Sequence, residues 1–173
     1  MKLLGVLIAV SGWMIGIPVR AEITAQDLQI AARALSFMEM PLAGRVRAGI
    51  VYSSGDPRSV RQADALQRML GQGLQIGNVE LRPVRIEIGE VARADVDIFL
   101  LTDYTGAAGA QMAAVSAAKM APCITTDLAQ VRDGACVMGI RSTPKVEIMV
   151  NRAAATNTGI KFAGVFRMLI TEL

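Results

Sequence analysis

Two cysteines, a scatter of hydroxyls and carboxylates at the ends of apolar runs, and a complete lack of histidine set the chemistry open to this 173-residue chain. Without histidine, neither a Ser-His-Asp arrangement nor a His-based metal site can be built. The glycines after the first apolar run do not form a phosphate-cradling loop of known spacing, and Gly106-x-x-Gly109 is too short a fragment to count. Asp95 and Asp97 flank a strand-like run, where carboxylates are ordinarily solvated. Ten methionines raise the question of a soft-metal site. Met1 and Met14 fall in a leader segment, most of the others fall on apolar stripes where Met fills gaps, and there is no Met-x-x-Met run. The expectation is a non-enzymatic protein with no metal and no cofactor.

The remaining polar candidates sit beyond strand-like runs. Ser53, Ser54 and Asp56 follow the first, Thr102, Asp103 and Tyr104 the third, and Thr126 with Asp127 the fourth. Ligands of open α/β sheets lie beyond the carboxyl ends of the strands, so these loops converge if the strands are parallel neighbours. The plainer role for Asp56 and Asp127 is helix capping. A partner protein would instead prefer exposed apolar surface, for which Met38, Met40 and Leu42 at the end of the first helix are the candidates.

The compartment decides how the cysteines are read. Lys2, an apolar run over residues 3–17 and the small-x-small triplet Val19-Arg20-Ala21 predict a cleavable export signal over residues 1–21; the alternative is an uncleaved anchor, for which the run is too short to span a membrane comfortably. Residues 22–173 then form one exported domain, with no direct membrane insertion after cleavage. In an oxidising compartment Cys123 and Cys136, on two candidate strands separated by a turn, are expected to pair. The bond is either a structural staple or, if strained or exposed, a redox switch. Removing Lys2 and Arg20 from the 18 basic residues leaves 16 against 15 acidic ones, a net charge of +1. The basic residues are scattered and not interleaved with aromatics, so no nucleic-acid surface is expected.

The elements that position these residues alternate. Thr24 and Asp27 frame a helix with apolar residues at 28, 31, 32, 35 and 38, ended by Pro41 and Gly44. Residues 45–52 read as a strand, and Asp56-Pro57 open a helix whose inner face is marked by Val60, Ala63, Leu66, Met69 and Leu70. A second strand spans 79–88 with Pro83 at a bulge or an edge, and 96–101 is the clearest buried strand. An Ala-rich helix over 107–120 ends at Pro122. A short strand at 123–126, a polar turn over 127–133, and strands at 135–140 and 145–150 joined by a turn containing Pro144 follow. Asn151 caps a short helix stopped by Gly159, and apolar residues at 162, 165, 166, 169, 170 and 173 predict a docked helix running to the last residue. This order gives an α/β three-layer sandwich with a mixed, mostly parallel sheet and a C-terminal antiparallel hairpin.

The strand at 96–101, the Thr-rich Ile124-Thr125-Thr126-Asp127, the hairpin strand Lys145-Val146-Glu147-Ile148-Met149-Val150-Asn151 and Gly159-Ile160-Lys161 before the closing segment resemble the YfiR-like periplasmic proteins. The resemblance runs loosely over residues 22–173 and is specific from about residue 95. Two departures are Met40-Pro41, where the family has an aromatic-Pro pair, and the single possible cysteine pair. The resemblance implies a periplasmic regulator that binds and represses a membrane-bound signalling enzyme of the diguanylate cyclase type through that enzyme's periplasmic domain, as a homo-oligomer. The stretch GIVYSSGDPRSV also resembles the opening strand-loop-helix of periplasmic binding proteins, which close two lobes around a solute. That gives the alternative of a single-lobe solute-binding or ligand-sensing protein. A chaperone or secretion accessory is a third class.

Overall fold

Uninterrupted apolar runs such as Ile98-Phe99-Leu100-Leu101 make sense only if both faces of a sheet are covered. In the computed structural model, which describes residues 23–103 and 105–173, they are. Ile98 and Leu100 point into one apolar cluster with Ala48 and Ile50, while Phe99 and Leu101 point into a second with Val51. The first cluster is closed by helices α1 (Ala25–Leu35) and α2 (Pro57–Leu70), and the second by a 3-10 segment (Ile88–Arg93) with α3 (Gly109–Lys119) and α4 (Leu128–Arg132). The expected three-layer α/β sandwich is the observed architecture.

The sheet has eight strands: β1 (Gly44–Tyr52), β2 (Leu74–Ile76), β3 (Val79–Glu87), β4 (Ile98–Leu101), β5 (Cys123–Thr125), β6 (Met138–Arg141), β7 (Glu147–Val150) and β8 (Thr171–Glu172). Their spatial order is β2-β3-β1-β4-β5-β6-β7-β8, with β3, β1, β4, β5 and β6 mutually parallel. The expected hairpin is present: β7 runs antiparallel to β6, with Arg141 opposite Glu147. Pro83 lies beyond the short pairing of β2 with residues 79–81 of β3, so it occupies an open edge and interrupts no ladder on that side.

Local signals fixed the helix starts. Thr24 and Asp27 form a reciprocal capping box, and Asp27 also accepts the Ser142 backbone N–H at 2.7 Å, tying α1 to the end of β6. Asn151 caps α5 (Arg152–Asn157) and donates its side-chain amide to the Val131 carbonyl at 2.9 Å. Asp95 is solvated as expected while pairing with Arg47, whereas Asp97 is partly covered, pairs with the same guanidinium and accepts the Arg47 backbone N–H at 2.7 Å. Gly139 on β6 admits α4 closely: a Cβ there would meet Leu128 Cδ2 and Val131 Cγ2 at 2.7 Å each.

Three expectations are corrected. The polar turn over 127–133 contains α4, because Asp127 caps it by accepting the Ala129 N–H and Leu128 with Val131 reach the second cluster. On α2, Ala63, Leu66 and Leu70 are buried as expected, but Val60 and Met69 are only partly covered and Ser59 and Gln62 join the buried face instead. The closing helix does not run to the end. Only α6 (Gly164–Arg167) forms, and the chain then turns into β8 alongside β7. Of the apolar stripe, Phe166 is buried, whereas Val165, Leu169 and Leu173 are 56%, 68% and 46% exposed. The open edge of β7 competes for the same residues. Pairing with it satisfies backbone groups that a surface helix would leave unpaired, and Glu172 is held by Arg167 at 2.7 Å. The export signal expected over 1–21 lies outside the described residues. No helix among the described residues is long and apolar enough to cross a membrane.

Candidate functional site

The chain leaves β1 toward β3 on one side and returns to β4 on the other, so the loops after β1 and β4 part at the carboxyl end of the sheet. That divergence is the topological switch point where open α/β sheets place ligands. The parallel register of β1, β4 and β5 brings residues 53–56, 102–103 and 126–127 to one rim.

At this rim the side chains form a hydrogen-bonded network. The Ser59 and Thr102 hydroxyls, both fully buried, lie 2.7 Å apart, and the Ser53 N–H donates to Ser59 Oγ at 2.9 Å. The Gln62 side-chain oxygen accepts the Asp103 N–H at 2.7 Å. Asp103 Oδ1 accepts from the Thr126 hydroxyl at 2.8 Å, although Asp103 is only 8% exposed. Gln130 on α4 completes the ring: it accepts from Thr125 at 2.6 Å and donates to the Thr102 carbonyl at 3.1 Å. Among the described residues the network itself carries one carboxylate, Asp103, and no cation. Such a surface offers acceptors and hydroxyls to a ligand rich in donors.

Of the residues expected here, Ser53, Thr102, Asp103 and Thr126 join the network. Ser54 turns away, its N–H and hydroxyl both 3.3 Å from Glu87 Oε1 at the end of β3. The Gly89 N–H foremost, and Ser54 after it, hold the Glu87 carboxyl below its ordinary range. Asp56 and Asp127 cap α2 and α4. Tyr104 lies outside the described residues. Ser59, Gln62, Thr125 and Gln130 escaped sequence reasoning. The available signal was the spacing Ser59, Gln62, Leu66, Leu70, which places two polar residues in line with apolar ones on the buried face of α2. Beneath the rim is a narrow, largely apolar slot of about 10 Å³ between α1 and the sheet, lined by Leu28, Leu66, Leu100, Ile124 and Thr126 among others. It has room for about one water, so a ligand must sit on the rim rather than under it.

Asp56 gives a test of this loop. The Arg58 side chain, followed by the Arg58 backbone N–H, holds its carboxyl down to about 2. A depressed carboxylate contributes stability that is present above the unfolded value of about 3.9 and is lost as the pH falls through about 2. An NMR titration should therefore place the Asp56 midpoint near 2, and Arg58→Ala should move it up toward the ordinary range. A midpoint near 4 in the intact protein would contradict the capped geometry.

The partner candidates are not brought together as exposed surface. Met38 is half-buried and bridges to Phe162, Leu42 is partly buried against the core, and only Met40, 79% exposed, faces solvent. Both cysteines are buried and joined as Cys123–Cys136. Among the described residues no group of three or more metal-ligating side chains is present.

No protein-family model matches the chain, and no curated protein matches it. Solved structures do resemble it. A conserved domain protein from Vibrio cholerae is 13% identical with a TM-score of 0.57, over 86% of this chain and 59% of the other. An ABC domain from Streptococcus pneumonia in complex with L-Trp is 12% identical with a TM-score of 0.59, over 84% and 60%. The ligand-free, open form of CD0873, a substrate-binding protein with adhesive properties from Clostridium difficile, is 14% identical with a TM-score of 0.58, over 86% and 58%. These likenesses establish the α/β fold. The chain spans about three-fifths of the length of the structures it matches.

Proposed function

We propose that this is a non-enzymatic, periplasmic solute-binding or ligand-sensing protein whose ligand rests on the rim formed by Ser53, Ser59, Gln62, Thr102, Asp103, Thr126 and Gln130. The observation that carries this reading is the network itself: buried hydroxyls, two carboxamides and a carboxylate gathered at the switch point of the sheet. Likeness in fold to a protein solved with L-Trp and to one described as substrate-binding supports it. The buried disulfide fits an oxidising compartment. Asp103 makes a donor-bearing solute, an amine or an amino acid, the best match. The test is calorimetric titration of the mature protein with an amino-acid panel that includes L-Trp, alongside polyols and amines. Asp103→Asn should weaken binding roughly 10- to 100-fold, the worth of a hydrogen bond to a charged group. If no solute binds, or if Asp103→Asn binds equally well, the reading fails.

A second reading keeps the regulatory role implied by the YfiR-like resemblance: binding to the periplasmic domain of an inner-membrane signalling protein, by a homo-oligomer. The observation favouring it is a set of exposed apolar side chains, Met40, Val165, Met168 and Leu169. They stand on segments joined by backbone hydrogen bonds, Glu39 N–H to the Lys161 carbonyl and Ala163 N–H to the Phe37 carbonyl. Met168→Asp with Met40→Asp should release a co-purifying membrane signalling enzyme. Unchanged co-purification would remove this surface from consideration.

A further inference from the structure

At the opposite end of the sheet from the rim, an open trough of about 180 Å³ lies between α3 and α5, floored by the segment that leads into β6. Its apolar walls are small, with Ala113 on α3 and Ala153 with Ala154 on α5, so the space comes from methyl-sized side chains and not from a gap in a large-residue core.

Three polar residues line the trough and make no side-chain hydrogen bond or ion pair among the described residues: Arg132, Asp133 and Asn157. The other polar groups there are spent. Asn151 is bonded at both its oxygen and its nitrogen, and Ser116 and Thr158 donate to the Ala121 and Ala154 carbonyls. Arg132 and Asp133 are consecutive, both line the trough, and no ion pair joins them among the described residues. Asp133 is also the C-cap of α4, a position where a carboxylate gains nothing from the helix dipole. A cation arriving from outside would relieve that position, while Arg132 offers a fork of donors that matches a carboxylate.

We infer that this trough is a second binding site, separate from the rim, for a small zwitterion: its carboxylate on Arg132, its ammonium on Asp133, its carboxylate oxygens or a side-chain hydroxyl within reach of Asn157, and a short side chain against the alanines. The alanine walls offer methyl-sized contacts, which suit glycine, L-alanine and L-serine.

The test is titration of the mature, disulfide-bonded protein with glycine, L-alanine and L-serine, with propionate and ethanolamine as singly charged controls. Binding is followed by calorimetry and by the amide shifts of Gly134 and Ala154. The zwitterions should bind and shift both amides, and the single-charge controls should bind at least tenfold more weakly. Arg132→Gln, at an exposed position, should weaken binding at least tenfold, Ala154→Leu should fill the trough and abolish it, and the rim variant Asp103→Asn should leave it unchanged. The inference is overturned if no zwitterion shifts Gly134 and Ala154, if Arg132→Gln binds as well as the natural protein, or if binding is lost in Asp103→Asn and kept in Arg132→Gln. The last result would assign the ligand to the rim alone, and loss of rim binding with the trough intact would be the converse.

Discussion

Replacing Cys123 and Cys136 together with alanine should lower the unfolding free energy by about 3 kcal/mol, the chain-entropy value for a loop of this length. The bond joins residues 13 apart in sequence, and both are at most 1% exposed. It fastens β5 to the segment that enters β6 at the point where the two strands begin to pair, Ile124 opposite Met138. For a chain of this size the loss corresponds to a fall of roughly 6–12 °C in Tm. Burial also decides between the two roles open to the bond. Thiol–disulfide exchange requires a thiolate to reach a sulfur, and these sulfurs are covered by the cluster that includes Phe99, Met112 and Val131. Reductant should therefore cleave the bond slowly in the native protein and rapidly in denaturant. Two titratable thiols in the native protein, or an alanine pair melting at the natural temperature, would contradict the staple.

What the sequence made legible follows from how local each cause was. Thr24 with Asp27, Asp56 with Pro57, and Asn151 announce helix starts because the capping partner lies within three residues. The runs at β1 and β4 announce a doubly covered sheet because both faces of each strand are apolar. By contrast β2 and β8 are edge strands of three and two residues, created by the presence of β3 and β7 beside them. Nothing in Leu74-Gln75-Ile76 or Thr171-Glu172 alone calls for a strand. Similarly, Asp103 and Thr126 could be placed at a rim by counting strands, but Gln62 and Gln130 are helix residues whose default is solvent. Only the arrival of Asp103 N–H and the Thr102 carbonyl beside them turns them inward. Met38 and Leu42 failed as a surface for the same reason: the return of residues 161–163 against 37–39 covers the side on which they stand, a contact more than a hundred residues away in sequence.

The closing segment carries the other large effect, and it separates a docked helix from the turn-and-strand ending. Phe166 is 2% exposed and sits against two aromatic rings, stacked on Phe37 at 5.1 Å between centroids and tilted against Phe162 at 5.2 Å. Phe166→Ala should cost about 3–5 kcal/mol, from the lost burial together with the space left between those rings. Met168 and Leu169, 78% and 68% exposed, should each accept serine with a change within about 0.5 kcal/mol. A helix docked along its whole apolar stripe would make Leu169 nearly as costly as Phe166, so the ratio of the two effects reads the conformation directly. Urea unfolding supplies the measurement: Phe166→Ala should lower the midpoint with the slope unchanged, and Leu169→Ser should leave both in place. The contrast also explains why so apolar a C-terminus remains partly bare. One aromatic side chain anchors it, pairing of β8 with β7 aligns it, Phe162 and Ile170 pack against the core, and Val165, Met168 and Leu169 are left exposed.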